Sequence, residues 1–124
     1  METNPFVEAR SEGAGVILYP TSALEQYNVD TIWRFITEEL ESGNPEWVVL
    51  DCSAVPFVDS RGIGLCIRLD QRLREQNRRL YITEINKHLQ DAFRYTNLFT
   101  HFTIIESLSE AIRQAESTST RNLE

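Results

Sequence analysis

Asp59 and Ser60, followed by Arg61-Gly62-Ile63-Gly64-Leu65, carry the densest chemistry in the sequence. A serine hydroxyl can cap a helix, attack as a nucleophile or accept a phosphoryl group, and its neighbours decide among these roles. The segment joins a short apolar run to a long helical pattern, so Ser60 falls near a helix N-terminus. There the first N–H groups lack intrahelical acceptors and the dipole favours negative charge. A phosphate on Ser60 meets unsatisfied donors in that position. Gly62 and Gly64 are costly inside a helix, so their place in its first turns points to close packing or to a surface that must stay unobstructed.

The nucleophile reading needs a base within hydrogen-bond reach. His88 and His101 are the only histidines, and both lie in the C-terminal third. The sequence has no Gly-x-Ser-x-Gly elbow, phosphate-binding P-loop, dinucleotide fingerprint or cluster with metal-ligand spacing. It therefore reads as a non-enzyme that uses neither cofactor nor metal. Cys52 and Cys66 sit in apolar runs and read as buried, reduced thiols.

The elements that must position Ser60 follow from hydrophobic periodicity. Residues 6–10 and Val16-Ile17-Leu18-Tyr19 read as a hairpin with 11–15 as its turn. From Asn28, a good N-cap, the residues Val29, Ile32, Trp33, Ile36 and Leu40 recur at helical spacing until Gly43-Asn44-Pro45 stops them. Trp47-Val48-Val49-Leu50 is a continuous apolar run, as expected of a central strand covered on both faces. Beyond it, 60–77 reads as helix, 80–83 as strand, 88–95 as a short helix and 102–105 as strand. Leu108, Ala111 and Ile112 mark a last helix, and the polar stretch 117–124 reads as a disordered tail. This alternation calls for an α/β fold: a central, mostly parallel β-sheet with an N-terminal hairpin at one edge and about four helices packed on it.

On the long helix Gly62, Leu65, Cys66, Leu69 and Leu73 share one face, assigned to the sheet, while Arg61, Arg68 and Arg72 form a separate stripe. Ile63 and Ile67 fall at the margin of an apolar arc wider than one buried side requires, which makes them candidate partner contacts.

Composition narrows the partners. Against 12 Lys plus Arg stand 19 Asp plus Glu, and the net charge of −7 argues against binding phosphate backbones or anionic lipid. No apolar run approaches the roughly 20 residues that cross a bilayer, and the N-terminus lacks a basic stretch followed by an apolar one. Neither nucleic acid nor membrane insertion is expected, and a cytoplasmic location is. At 124 residues the chain has room for one domain whose core needs no disulfide or metal.

The element order and Asp59-Ser60-Arg61-Gly62-Ile63-Gly64 together resemble a STAS domain, specifically the bacterial anti-sigma-factor antagonists. Their signature runs Asp-Ser, then Ser or Thr, Gly, Leu or Ile, and Gly. The likeness covers residues 1–116 as a single STAS-like domain. Leu24-Glu25 sits where that family usually has Gly-x-Leu-Asp, with Ser22 in place of the glycine and Glu25 in place of the aspartate. Phe93-Arg94-Tyr95-Thr96-Asn97-Leu98 resembles its Phe-x-x, Ser or Thr, Gly-Leu segment. Asn97 there stands for a glycine that ends a helix in the left-handed conformation. Arg61 replaces a small hydroxyl residue and leaves Ser60 as the signature's one hydroxyl. A guanidinium there can pair with an added phosphate or with an acidic group on a kinase.

The resemblance implies partner switching. In that family the unmodified protein binds an anti-sigma factor that is also a serine kinase of the GHKL type, releasing the sigma factor. Phosphorylation of the antagonist serine ends the association, and a PP2C-type phosphatase restores it. Carried onto this chain, Ser60 is the phosphorylation site, and Glu25, Asp59, Arg61, Gly62, Ile63 and Ile67 are partner-binding residues. A second reading keeps the fold but makes the chain a non-switching adaptor subunit of a transporter or a stress-sensing complex.

Overall fold

β1 (Val7–Glu12) and β2 (Gly15–Pro20) pair as an antiparallel hairpin, and β3 (Val48–Asp51), β4 (Leu80–Thr83) and β5 (Thr103–Ile105) extend the sheet in parallel. The computed structural model describes residues 4–122. Helices α1 (Val29–Gly43), α2 (Ser60–Glu75) and α3 (Lys87–Tyr95) connect the parallel strands, and α4 (Leu108–Asn122) follows β5.

Strand order in the sheet equals order in the chain. Each crossover therefore steps the same way, and crossovers of one hand must then place their helices on the same face. Ile32, Ile36 and Leu40 of α1, Leu65, Leu69 and Leu73 of α2, and Leu89 and Phe93 of α3 do share one core with Leu18, Leu50, Leu80 and Ile82 of the strands. The helix α4 crosses the opposite face, where Ala111 and Ala115 meet Ile17, Val49 and Tyr81. All four residues of β3 are buried because both of its faces are covered, which is why its sequence shows no alternation.

Three expectations are corrected. The hairpin turn is not 11–15: β1 continues to Glu12, with Ser11 opposite Val16 and Glu12 opposite Gly15, and the chain reverses at Gly13-Ala14. Gly13 takes the left-handed conformation there, at φ 56°. Asn28 flanks α1 but makes no side-chain capping bond. Its buried amide instead donates to the Ser22 hydroxyl and the Ala23 carbonyl and accepts from the Glu25 N–H, knitting the loop after β2. Finally, the expected disordered tail over 117–124 is helix through Asn122, where α4 ends. Ala115 lies on its buried face, and the Ser119 hydroxyl donates to Glu46 at 2.8 Å, anchoring this Ser- and Thr-rich stretch beside β3. Residues 123 and 124 lie outside those described.

Candidate functional site

Asp59, not Ser60, caps α2. Its backbone is extended, and its carboxylate accepts the Gly62 N–H at 2.9 Å through Oδ1 and the Gln26 N–H at 2.8 Å through Oδ2. Either residue type suits a helix N-terminus, so the sequence could not choose between them. Burial pulls the Asp59 carboxyl pKa upward, but the N–H groups of Gln26, Gly62, Arg61 and Asp59 itself outweigh it and hold the group below its usual value. With capping assigned to Asp59, Ser60 occupies the first helical position, exposed, and its hydroxyl makes no hydrogen bond among the described residues.

The loop before Ser60 is braced from two sides. Leu24 and Val58 form a parallel bridge in which the Leu24 N–H donates to the Phe57 carbonyl and the Asp59 N–H donates to the Leu24 carbonyl. From the other side Asn86 caps α3 with its side-chain oxygen, while its amide donates to the Val55 and Pro56 carbonyls. His88 has its Nε2 3.5 Å from the Val58 carbonyl oxygen and packs edge-on against Phe57, and it makes no hydrogen bond with the Ser60 hydroxyl.

Gly62 has a reason inside the chain. It is buried, and a β-carbon there would stand 2.0 Å from the Leu24 carbonyl oxygen. This is where α2 presses on the neighbouring loop. Gly64, by contrast, would have nothing within 4 Å of an added β-carbon and opens onto the rim.

The remaining expected residues separate into two groups. Ile63 and Ile67 are half-buried against the main core, at the margin where their helical phase places them, and Glu25 is half-buried in the loop beside Asp59. The Glu25 carboxylate has no hydrogen bond or ion pair among the described residues. The arginine stripe faces α1. Arg61 pairs with Asp30 at 3.4 Å, Arg68 stacks over the Trp33 ring at 4.3 Å, and Arg72 pairs with Glu41 at 3.3 Å. Arg61 is thus engaged across the helix pair while its side chain stays about half exposed, at 54%.

The sequence reading missed the aromatic part of this rim. Tyr27 is 79% exposed and Phe57 41% exposed, on the two loops that meet at the Leu24–Val58 bridge. The only signal was an apolar residue next to each turn, which by itself does not distinguish a rim from a core. No group of acidic, histidine or cysteine side chains suited to a metal exists among the described residues. No helix among them is long and apolar enough to cross a membrane.

A five-stranded sheet with one antiparallel edge hairpin, three helices on one face, one on the other and a serine opening α2 defines a small, singly wound α/β module. Residues 7–111 match the STAS domain family, and the chain belongs to it. None of the curated proteins matches in sequence. A Thermotoga maritima protein put forward as an anti-sigma factor antagonist superposes with a TM-score of 0.82 at 20% identity, covering 89% of this chain and 94% of that one. The Bacillus cell fate determinant SpoIIAA in its phosphorylated form superposes with a TM-score of 0.69 at 17% identity, over 87% of this chain and 97% of that one. Murine solute carrier 26 family member A9, an anion transporter, matches at a TM-score of 0.72 and 18% identity, over 84% of this chain but 18% of the transporter. At these identities the likeness establishes the fold.

Proposed function

We propose that this chain is a cytoplasmic partner-switching regulator. With Ser60 unmodified it binds an anti-sigma factor of the GHKL serine-kinase type. Phosphorylation of Ser60 by that kinase ends the association, and a PP2C-type phosphatase restores the binding form. The observation that carries this reading is the exposed Ser60 hydroxyl at the first position of α2, relieved of capping by Asp59. A phosphoryl group there adds a charge of about −1.5 to −2. One like-charge contact near 4 Å at an effective dielectric of about 20 is worth roughly 4 kcal/mol before screening, and about 1.4 kcal/mol already changes affinity tenfold. In this reading Glu25, Asp59, Arg61, Ile63 and Ile67 border the contact, joined by Tyr27 and Phe57, and Gly62 serves it by seating α2 close against the Leu24 loop.

The test is calorimetry of the kinase partner with the parent, Ser60→Ala and Ser60→Asp. Ser60→Ala should bind like the unmodified parent, and Ser60→Asp at least about tenfold more weakly. Equal affinities for all three would refute the charge mechanism. The likeness to a transporter module favours a second reading, a non-switching adaptor. A cognate kinase with ATP that leaves Ser60 unmodified would favour that reading.

A further inference from the structure

A cleft of about 520 Å³ lies at the end of the sheet away from Ser60. Trp47, immediately before β3, and Arg79, immediately before β4, line it, with Arg74 and Arg78 from the end of α2 and the segment beyond it. Its volume falls within the roughly 300–1,000 Å³ of small-molecule sites. In a chain carrying a net charge of −7, three guanidiniums gathered at one concavity need a reason.

Internal structure accounts for two of them only in part. Arg74 donates to Asp70 at 2.7 Å and to the His101 carbonyl at 3.1 Å, and Arg78 donates to the Pro45 carbonyl and the Asn44 side chain. Each guanidinium has five N–H donors, so these bonds fix both groups in place and leave donors unspent. Arg79 is exposed, and its side chain has no hydrogen bond or ion pair among the described residues. Two carboxylates oppose the three guanidiniums: Asp70, which is buried and paired with Arg74, and Glu46, which accepts the Ser119 hydroxyl and keeps its charge, so the lining has an excess of one guanidinium. The ring of Trp47 forms part of the wall, and its indole N–H is buried with no partner among the described residues.

We propose that this cleft binds the phosphoryl group of a small phosphorylated molecule, an activity separate from partner switching at Ser60. Arginine forks match phosphate oxygens in pairs. The two anchored guanidiniums supply preorganised donors, Arg79 supplies the uncommitted charge, and the remaining volume takes the organic part of the ligand.

The test uses the full ¹⁵N-labelled chain titrated with ribose 5-phosphate, with inorganic phosphate, and with sodium chloride at matched ionic strength. The tryptophan indole signals are the main readout. Ribose 5-phosphate should move the Trp47 indole and the Arg79 signals saturably and leave the Trp33 indole and the Ser60 amide in place. Inorganic phosphate should act on the same residues more weakly. Arg79→Ala, an exposed and unpaired position, should keep the fold and weaken binding by about tenfold. The proposal is overturned if neither phosphate compound gives saturable shifts, if chloride reproduces them, or if Arg79→Ala binds like the parent. Equal affinity for the two phosphate compounds would overturn the organic half of the assignment.

Discussion

Alanine placed at Gly62 and at Gly64 should move stability in opposite directions, although the two positions are two residues apart on the same helix. At Gly62 the new carbon would stand 2.0 Å from the Leu24 carbonyl oxygen, 2.7 Å from its carbon and 2.9 Å from the Leu24 Cβ. A close carbon–oxygen contact sits at about 3.3 Å, so loop and helix must part by about 1 Å or more. All three obstacles are backbone or nearly so, and the carbonyl that must retreat also accepts the Asp59 N–H, while the Leu24 N–H donates to the Phe57 carbonyl. Weakening those two bonds costs about 1 kcal/mol each, and the strain of overpacking adds about 1–3 kcal/mol. Better helix propensity returns about 1 kcal/mol. The net is a loss of about 2–4 kcal/mol, against a total stability of roughly 5–15 kcal/mol for such a domain. That lowers the melting temperature by roughly 10–20 °C. At Gly64, with nothing within 4 Å, only the propensity gain applies, and the melting temperature should rise by a few degrees. Thermal melts by circular dichroism, with urea midpoints at constant m-value, read both effects. A Gly62→Ala protein that melts at or above the parent, or a Gly64→Ala protein that falls as far, would refute the reasoning.

Other expectations follow from the same geometry. Asp59→Ala removes the α2 cap and the tie to Gln26, and should cost about 2–3 kcal/mol by urea unfolding at neutral pH. Because the folded pKa of Asp59 is lowered, its contribution is complete above the ordinary carboxyl value of about 3.9 and fades as pH falls through the lower folded value. The parent should therefore lose more stability than Asp59→Ala on acidification, and parallel acid profiles would contradict this. Burial, then the neighbouring Cys66 and Asp51, push the Cys52 thiol well up. Burial, then Asp70, push Cys66 up to about 12. Neither thiol should react with a disulfide reagent at mild alkaline pH until the chain is unfolded, and rapid labelling of the native protein would contradict that burial.

Most of the architecture is legible in the sequence because its signals are local. Residues 80–83 are β4 to the residue, and Gly43-Asn44-Pro45 does end α1, with Asn44 left-handed at φ 44°. Asn97 likewise takes φ 61° after α3, as its substitution for glycine suggests. The errors arise where distant contacts override local preference. Ser11 and Glu12 look like turn residues but are held in β1 by Val16 and Gly15. The Ser- and Thr-rich end of α4 looks frayed but is fixed by Ala115 beneath it and by Glu46. At the site, sequence locates the serine and the helix it opens. It does not assign the cap to Asp59, find Asp30, Trp33 and Glu41 as the partners of the arginine stripe, or connect Gly62 to Leu24. Each of those facts joins residues about thirty or more positions apart or turns on one side-chain rotation.

The crossed ties that hold 53–59, through Leu24 on one side and Asn86 on the other, bear on how fast this surface can respond. A rim already locked into shape surrenders little freedom when another molecule settles on it, so the entropy of docking is small and the pose is ready at first encounter. On the proposed reading, a phosphoryl group placed on Ser60 would meet a rim already in its binding shape, so that no slow rearrangement would stand between the modification and release, and the tempo of signalling would be left to the enzymes that add and remove it.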